Sequence, residues 1–193
     1  MANEAQDVLD FWFGPIGSEA FGTQRKLWFT KDDAFDRLVA ERFGATIERT
    51  LRGELDAWAE SASTALARVL VLDQFTRNAF RGGPRAFAGD AQALAAASAM
   101  VGSRQDEALP PFMREFVYMP FEHAEGLAMQ DESVRLFSRL ATAAPELADM
   151  LDYARRHRAV IERFGRFPRR NAILGRASTA EELAYIARPG SSF

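Results

Sequence analysis

Helical periodicity is the feature that most constrains the fold of this chain. Between Phe35 and Leu51 the apolar residues recur every three or four positions, which places them on one face of an α-helix. Similar runs follow along the chain, whereas no alternating run rich in β-branched residues is bounded by hairpin turns. The sequence therefore predicts an all-α fold.

Helix-breaking and capping residues divide these runs into separate helices. Gly14 and Pro15 end the first run, Thr30 with Asp33 forms a capping box for the second, and Gly53 follows its end. The other predicted boundaries, in chain order, are Ser61 or Ser63, the glycines of "RGGP", Asp90, Gly102, a bend or break at Pro120, Asp131, Pro145, Gly165 and a Ser178–Glu181 capping box.

The loops between the predicted helices are short, so consecutive helices should pack as antiparallel neighbours. This favours a compact, tetratricopeptide-like array of helical hairpins, although no clean repeat of about 34 residues is present. No linker or low-complexity tract divides the chain. We therefore expect a single helical domain over residues 1–193, with frayed ends at 1–6 and 189–193.

The composition excludes several classes of protein. The 193 residues contain no cysteine, which removes disulfides, thiol catalysis and cysteine-ligated zinc and is typical of a reducing compartment. The acidic start lacks the regions of a signal peptide, and the apolar runs are shorter than the roughly 20 residues of a membrane span. We expect a soluble cytoplasmic protein that has no membrane partner.

The net charge of −3 requires that any nucleic-acid site be a local basic patch. The best candidate is "RFGRFPRRNAILGR", residues 163–176. Gly165 and Pro168 favour a helix end there, where arginines complement the helix dipole, and the few rings are needed for packing. The stretch therefore argues against a nucleic-acid partner.

A first row of polar residues follows one predicted helix. Asp73, Arg77 and Arg81 lie at i, i+4 and i+8, with Gln74 and Asn78 on the adjacent row. These residues form either a series of solvent-exposed i,i+4 ion pairs or ion pairs that are partly buried against the protein. The apolar residues around them favour burial, in which case Asp73 is the local partner of an arginine.

A second polar row carries three carboxyl groups. Glu115, Tyr118, Glu122 and Glu125 share a face if the helix continues past Pro120. Such carboxylates could bind a metal ion, act as a general acid or base, or form ion pairs with arginines of another helix. His123 and His157, the two histidines of the chain, lie on mostly apolar faces, where a hydrogen-bonded core histidine is the commoner arrangement.

Several established catalytic motifs are absent from the sequence. The chain lacks the paired Glu-x-x-His motif of di-iron bundles, His-Glu-x-x-His, a Walker loop, a dinucleotide glycine motif and a Gly-x-Ser-x-Gly elbow. The sequence therefore predicts no metal site and no cofactor, and it does not decide whether the protein is an enzyme.

Three stretches, "DQFTRNAFRG", "FVYMPFEHAEGLAMQDESVRLF" and "HRAVIERFGRFPRRNAILGR", occur together in this order after an N-terminal "VLDFWFG". The set resembles the bacterial domain-of-unknown-function family 924 from about Val8 to the last helix. The resemblance implies a tetratricopeptide-like helical fold and no particular reaction. The matching positions are Asp73, Gln74, Arg77, Asn78, Arg81, Pro120, Glu122, His123, Glu125, His157, Arg163, Arg166, Pro168, Arg169 and Asn171.

Two positions depart from the pattern of that family. Ala124 stands where the family usually has serine, and Arg169 where it often has histidine. A mechanism that needs that hydroxyl or that imidazole is therefore disfavoured here.

Our leading hypothesis is a binding module. The three segments would converge on one polar pocket for an anionic small molecule or a peptide terminus, because forked arginine donors with amides and imidazoles suit carboxylate or phosphate. The pocket residues would be Asp73, Gln74, Arg77, Asn78, Arg81, Glu122, His123, Glu125, His157, Arg163, Arg166, Arg169 and Asn171.

Two alternatives stay open. One is a hydrolase with His123 or His157 as general base, oriented by Glu122, Glu125 or Asp73. The other is a buried network of arginines and carboxylates that only fixes the fold, with a protein partner bound by an ordinary surface.

Overall fold

The computed structural model describes residues 2–23, 25 and 28–188, without the side chains of residues 2 and 3. This part of the chain forms helices and contains no β-strand, which confirms the all-α prediction. The α-helices are α1 (Ala2–Phe13), α2 (Asp33–Leu51), α3 (Ala62–Leu70), α4 (Thr76–Ala79), α5 (Asp90–Gly102), α6 (Pro111–His123), α7 (Leu127–Ala143), α8 (Ala148–Phe164) and α9 (Ala180–Ile186).

Shorter turns connect these helices. A π-helical turn, Val71–Phe75, joins α3 to α4. The 3₁₀ turns are Asp56–Glu60, Pro84–Phe87, Gln105–Ala108, Pro145–Leu147 and Pro168–Arg170. Residues 2–6, expected to fray, lie in α1, whereas residue 1 and residues 189–193 lie outside the described part of the chain.

The chain divides into two compact units. Unit 1 comprises residues 1–81 and 85–120, and unit 2 comprises residues 82–84 and 121–193. The tetratricopeptide-like arrangement and the single domain stay predictions. Among the described residues, no helix combines the length and the apolar character needed to cross a bilayer.

Aromatic rings form the core of unit 1. The Trp12 ring lies 5.6 Å from both Phe75 and Phe116, centroid to centroid, so it joins α1 to the π turn and to α6. Arg25 Nη1 donates to the carbonyls of Phe11 and Trp12 at 2.8 Å each. These bonds satisfy carbonyls at the C-terminus of α1, which have no partner inside the helix.

The π turn depends on a close approach between two backbones. A Cβ atom on Gly89 would lie 2.1 Å from the Leu72 carbonyl oxygen, so only glycine fits at this N-terminus of α5. Thr76 Oγ1 donates to the same carbonyl at 2.7 Å, and Arg77 Nη1 donates to the Asp73 carbonyl at 2.8 Å. Side chains therefore satisfy carbonyls that the wider turn leaves without a regular α-helical partner.

The α7–α8 pair is the largest element of unit 2. Apolar residues of the two helices face each other, including Leu136 and Phe137 on α7 and Ala154 on α8, each no more than 1% exposed. Gly165, with φ +67°, ends α8 as predicted, and its N–H donates to the Ile161 carbonyl at 2.8 Å. The chain then turns at Pro168 and leads to α9.

Four predicted helix boundaries were wrong. The N-cap of α2 is Asp32 and not Thr30, because the Asp32 carboxylate accepts from the amides of the first turn. The capping box of α9 is Thr179 with Glu182, one residue after the predicted pair. The helix runs through Pro120 to His123, and the interruption comes at residues 124–126, so that α7 begins before Asp131.

Glu115 of α6 is a buried carboxyl group in unit 1. Its exposed fraction is 0%, and no group in the described residues hydrogen-bonds to either of its oxygens. Burial raises the pKa of Glu115 to about 8. The side chain is therefore a neutral acid at pH 7.

The close approach at Gly89 gives a first prediction. Gly89→Ala should lower the free energy of unfolding by about 2 kcal/mol or more, because backbone atoms must move to admit the methyl group. Chemical denaturation measures the loss. Gly102→Ala, at the other end of α5 where an added Cβ contacts nothing within 4 Å, is the control and should be neutral or slightly stabilising.

Glu115 gives a second prediction. Between pH 4.5 and about 8 the folded protein keeps a proton that the unfolded chain has lost, so stability falls by about 1.4 kcal/mol per pH unit as the pH rises. Glu115→Gln should be more stable than the parent at pH 7, by a margin that grows from pH 5 to 8 and then levels off. Denaturation at several pH values measures it, and the exposed Glu146→Gln should not reproduce the effect.

Candidate functional site

The side chains that could carry chemistry in unit 2 meet at the end of α6. Glu122 and His157 are 7% and 8% exposed. His157 Nδ1 lies 2.9 Å from the Tyr153 carbonyl oxygen and 3.2 Å from Glu122 Oε1. A carbonyl oxygen accepts hydrogen bonds, as does an ionised carboxylate, so these two neighbours favour the tautomer of His157 that carries its proton on Nδ1.

His123, Phe167 and Arg170 lie beside Glu122 and His157. We name these five residues the histidine cluster. The imidazoles of His123 and His157 lie 6.3 Å apart, and the Phe167 ring lies 5.5 Å from that of His157. Arg170 Nη2 donates to the His123 carbonyl at 3.0 Å, and its guanidinium carbon lies 4.6 Å from the centre of the Phe167 ring. His123 and Arg170 are partly exposed, so the cluster reaches the surface of unit 2.

Glu125 serves a different purpose from Glu122. It accepts from the Phe167 amide at 2.7 Å and from both terminal nitrogens of Arg176, at 2.6 and 2.9 Å. Burial opposes its ionisation, but these hydrogen bonds and the charges of Arg176 and Arg170 hold the pKa of Glu125 below its usual range. The carboxylate therefore fastens the segment after α8 to the residues that follow α6.

The arginines of the C-terminal turn have protein partners. Arg166 makes a bidentate pair with Glu182, at 2.6 and 2.8 Å. Hydrogen bonds from Arg166 and from the Thr179 amide lower the pKa of Glu182 to about 2. The remaining contacts are Arg163 with Glu181, Arg169 Nη2 with the Ile186 carbonyl, Arg176 Nε with Asn171 Oδ1, and Asn171 Nδ2 with Ser178 Oγ.

The residues of "DQFTRNAFR" lie in unit 1 and are paired there. Arg77 Nη1 is 3.0 Å from Asp73 Oδ1 and 2.8 Å from Asp90 Oδ1, so Arg77 of α4 makes the predicted i,i+4 pair with Asp73 of the π turn and also contacts Asp90 of α5. Gln74 Nε2 donates to Asp73 Oδ2 at 2.6 Å. Asp73 is 1% exposed, so the expectation of burial holds for it.

Asn78 and Arg81 contact another helix. Both donate to Asp36 of α2, from Asn78 Nδ2 at 2.7 Å and from Arg81 at 2.5 and 2.9 Å. Burial opposes ionisation of Asp36, but these donors lower its pKa overall. Sequence reasoning missed Asp36 because its spacing on α2 does not show which helix it will face.

The second polar row does not act as one set. Glu115 is buried, Tyr118 donates to Asp106 at 2.7 Å, Glu122 faces His157, and Glu125 lies beyond the end of α6. Among the described residues, no three histidine, aspartate or glutamate side chains form a group that could hold a metal ion. That the three motif segments converge on one pocket stays a prediction.

Glu125 gives a third prediction. Glu125→Gln should lower the free energy of unfolding by about 2 kcal/mol, because it leaves the partly buried Arg176 without its charged partner. Glu181→Gln removes an exposed carboxylate from Arg163 and should cost less than about 1 kcal/mol. Denaturation of both variants measures the contrast, and equal losses would contradict the role given to Glu125.

Comparison with known proteins agrees with the helical structure. The family described as "Bacterial protein of unknown function (DUF924)" matches residues 8–190. A solved structure, "Structure of Protein of Unknown Function ATU0120 from Agrobacterium tumefaciens", is 39% identical, with a TM-score of 0.83 over 96% of this chain and 98% of that one. No curated protein matches. The matched range spans nearly the whole chain, and the protein therefore belongs to the DUF924 family.

Proposed function

We propose that the protein is a binding module whose ligand site is the histidine cluster of unit 2, and that the ligand carries a carboxylate or a phosphate. The observation that carries the proposal is the placement of His123, His157 and Arg170. The two imidazoles lie 6.3 Å apart, and Arg170 donates to the carbonyl of His123. These three groups can present positive charge together.

The contacts of His157 Nδ1 support this assignment. Glu122 and the Tyr153 carbonyl hold that nitrogen, so a protonated His157 presents a second N–H at Nε2. Hydrogen bonds between charged groups are stronger than those between neutral groups, which suits an anionic acceptor.

Arg81, Arg166 and Arg176 each bind a carboxylate through two nitrogens, and an incoming anion would have to displace Asp36, Glu182 or Glu125. We therefore assign these three arginines a structural role. The ligand site is placed at the histidine cluster because two imidazoles and a guanidinium group lie together there.

Anion binding should depend on pH. An anion that contacts imidazolium groups stabilises their protonated forms, so binding should tighten at least several-fold from pH 8 to pH 6. The chain has two histidines, so histidine-labelled protein without a tag gives two imidazole signals, which His123→Gln and His157→Gln assign. Titration with acetate, phosphate and a short peptide, at constant ionic strength, measures the binding.

Arginine variants test whether Arg170 contributes to anion binding. Arg170→Gln should weaken binding about tenfold, the loss of one charge-assisted hydrogen bond. Arg155→Gln removes an exposed arginine of the same helix as His157 and is the control. Imidazole signals that do not respond, or that respond equally to every anion at a given ionic strength, would contradict the proposal.

The distance of 3.2 Å between Glu122 and His157 favours one second candidate, a hydrolase. Glu122 would orient the ring, and His157 Nε2 would take a proton from an attacking water molecule. A screen of ester and phosphoester substrates tests this candidate. His157→Gln should abolish any activity and Glu122→Gln should lower it, while circular dichroism shows that both variants fold.

A further inference from the structure

Gln130 of α7 clamps the end of α6. Its Nε2 donates to the Glu122 carbonyl at 2.6 Å and to the Ala124 carbonyl at 2.8 Å, with a longer contact of 3.3 Å to Phe121. A helix C-terminus leaves such carbonyls without partners in its own helix. Gln130 therefore fixes the backbone of the residue whose carboxylate faces His157.

The other atom of the same amide is not satisfied by protein. Gln130 Oε1 and Ser133 Oγ accept and donate no hydrogen bond within the described residues, and both residues are 0% exposed. A buried polar atom without a partner costs about 1–3 kcal/mol. The pair lies at i and i+3 on one face of α7, with Cβ atoms about 5–6 Å apart.

We propose that Gln130 and Ser133 together bind one internal water molecule, and that Gln130 is a positioning residue for the Glu122–His157 pair. A water molecule that lies between the two residues can donate to the Gln130 oxygen and bond to the Ser133 hydroxyl, because both atoms are buried, lie on the same face of α7 and lack a protein partner. Full burial of both residues favours water over a larger ligand. The inference does not depend on anion binding by the histidine cluster.

Two measurements test the water site. In the unmodified protein, long-lived water should give cross-relaxation peaks to the Gln130 side-chain amide and to the backbone amide of Ser133. Ser133→Ala should weaken these peaks and lower Tm by about 2–4 °C, the loss of one hydrogen bond. Ser138→Ala is the control, because it removes from the same helix a hydroxyl that donates to the Val134 carbonyl. The water peaks of Gln130 and Ser133 should stay unchanged in this variant.

The opposite results would overturn the site. If no water molecule binds to Ser133, Ser133→Ala removes a hydroxyl without a hydrogen-bond partner, so Tm should stay equal or rise. The unmodified protein should then show no cross-relaxation peaks from long-lived water. These outcomes do not require any variant of Gln130 to fold.

The positioning role has its own readout. Gln130→Met keeps the approximate volume but removes the donor to the Glu122 carbonyl. We expect the imidazole titration midpoint of His157 to fall as the Glu122 carboxylate moves away. A stability loss with an unchanged midpoint would show that Gln130 only packs, whereas a failure of anions to bind would leave this result unaffected.

Discussion

The bond between Glu125 and Arg176 is the interaction on which the candidate site of unit 2 depends. Glu125 lies just beyond α6, and its carboxylate accepts from the guanidinium of Arg176 and from the Phe167 amide. That contact fixes Phe167, whose ring adjoins both His157 and Arg170. Together with the bond from Arg170 to the His123 carbonyl, this partly buried carboxylate anchors the turn after α8 to the end of α6.

Two neighbouring glutamates therefore serve separate purposes. Glu122 lies in the last turn of α6 and faces an imidazole, which can change its charge near neutral pH. Glu125 lies after the helix and faces a guanidinium, which cannot. The interruption at residues 124–126, together with the clamp by Gln130, separates the two side chains, so that Glu122 contacts His157 and Glu125 contacts Arg176.

Much of the fold could be predicted from the sequence, because amphipathic spacing, Gly14, Gly53 and Gly165 mark helices and their ends through local chemistry. The π turn could not, since its signal is the fit of Gly89 against Leu72, a contact between distant segments. The ion pairs show the same difference between local and distant contacts. The Asp73–Arg77 pair follows from i,i+4 spacing, whereas the Arg81–Asp36 and Glu125–Arg176 pairs join residues far apart in the chain.

The protonation of His157 is the most direct test of the proposed ligand site. Nitrogen-15 spectra of histidine-labelled protein, recorded above the titration midpoint of His157, show which ring nitrogen keeps its proton. The geometry of the histidine cluster predicts the proton on Nδ1, where the Tyr153 carbonyl and Glu122 accept it. A proton on Nε2 would contradict the geometry of the histidine cluster and, with it, the proposed ligand site.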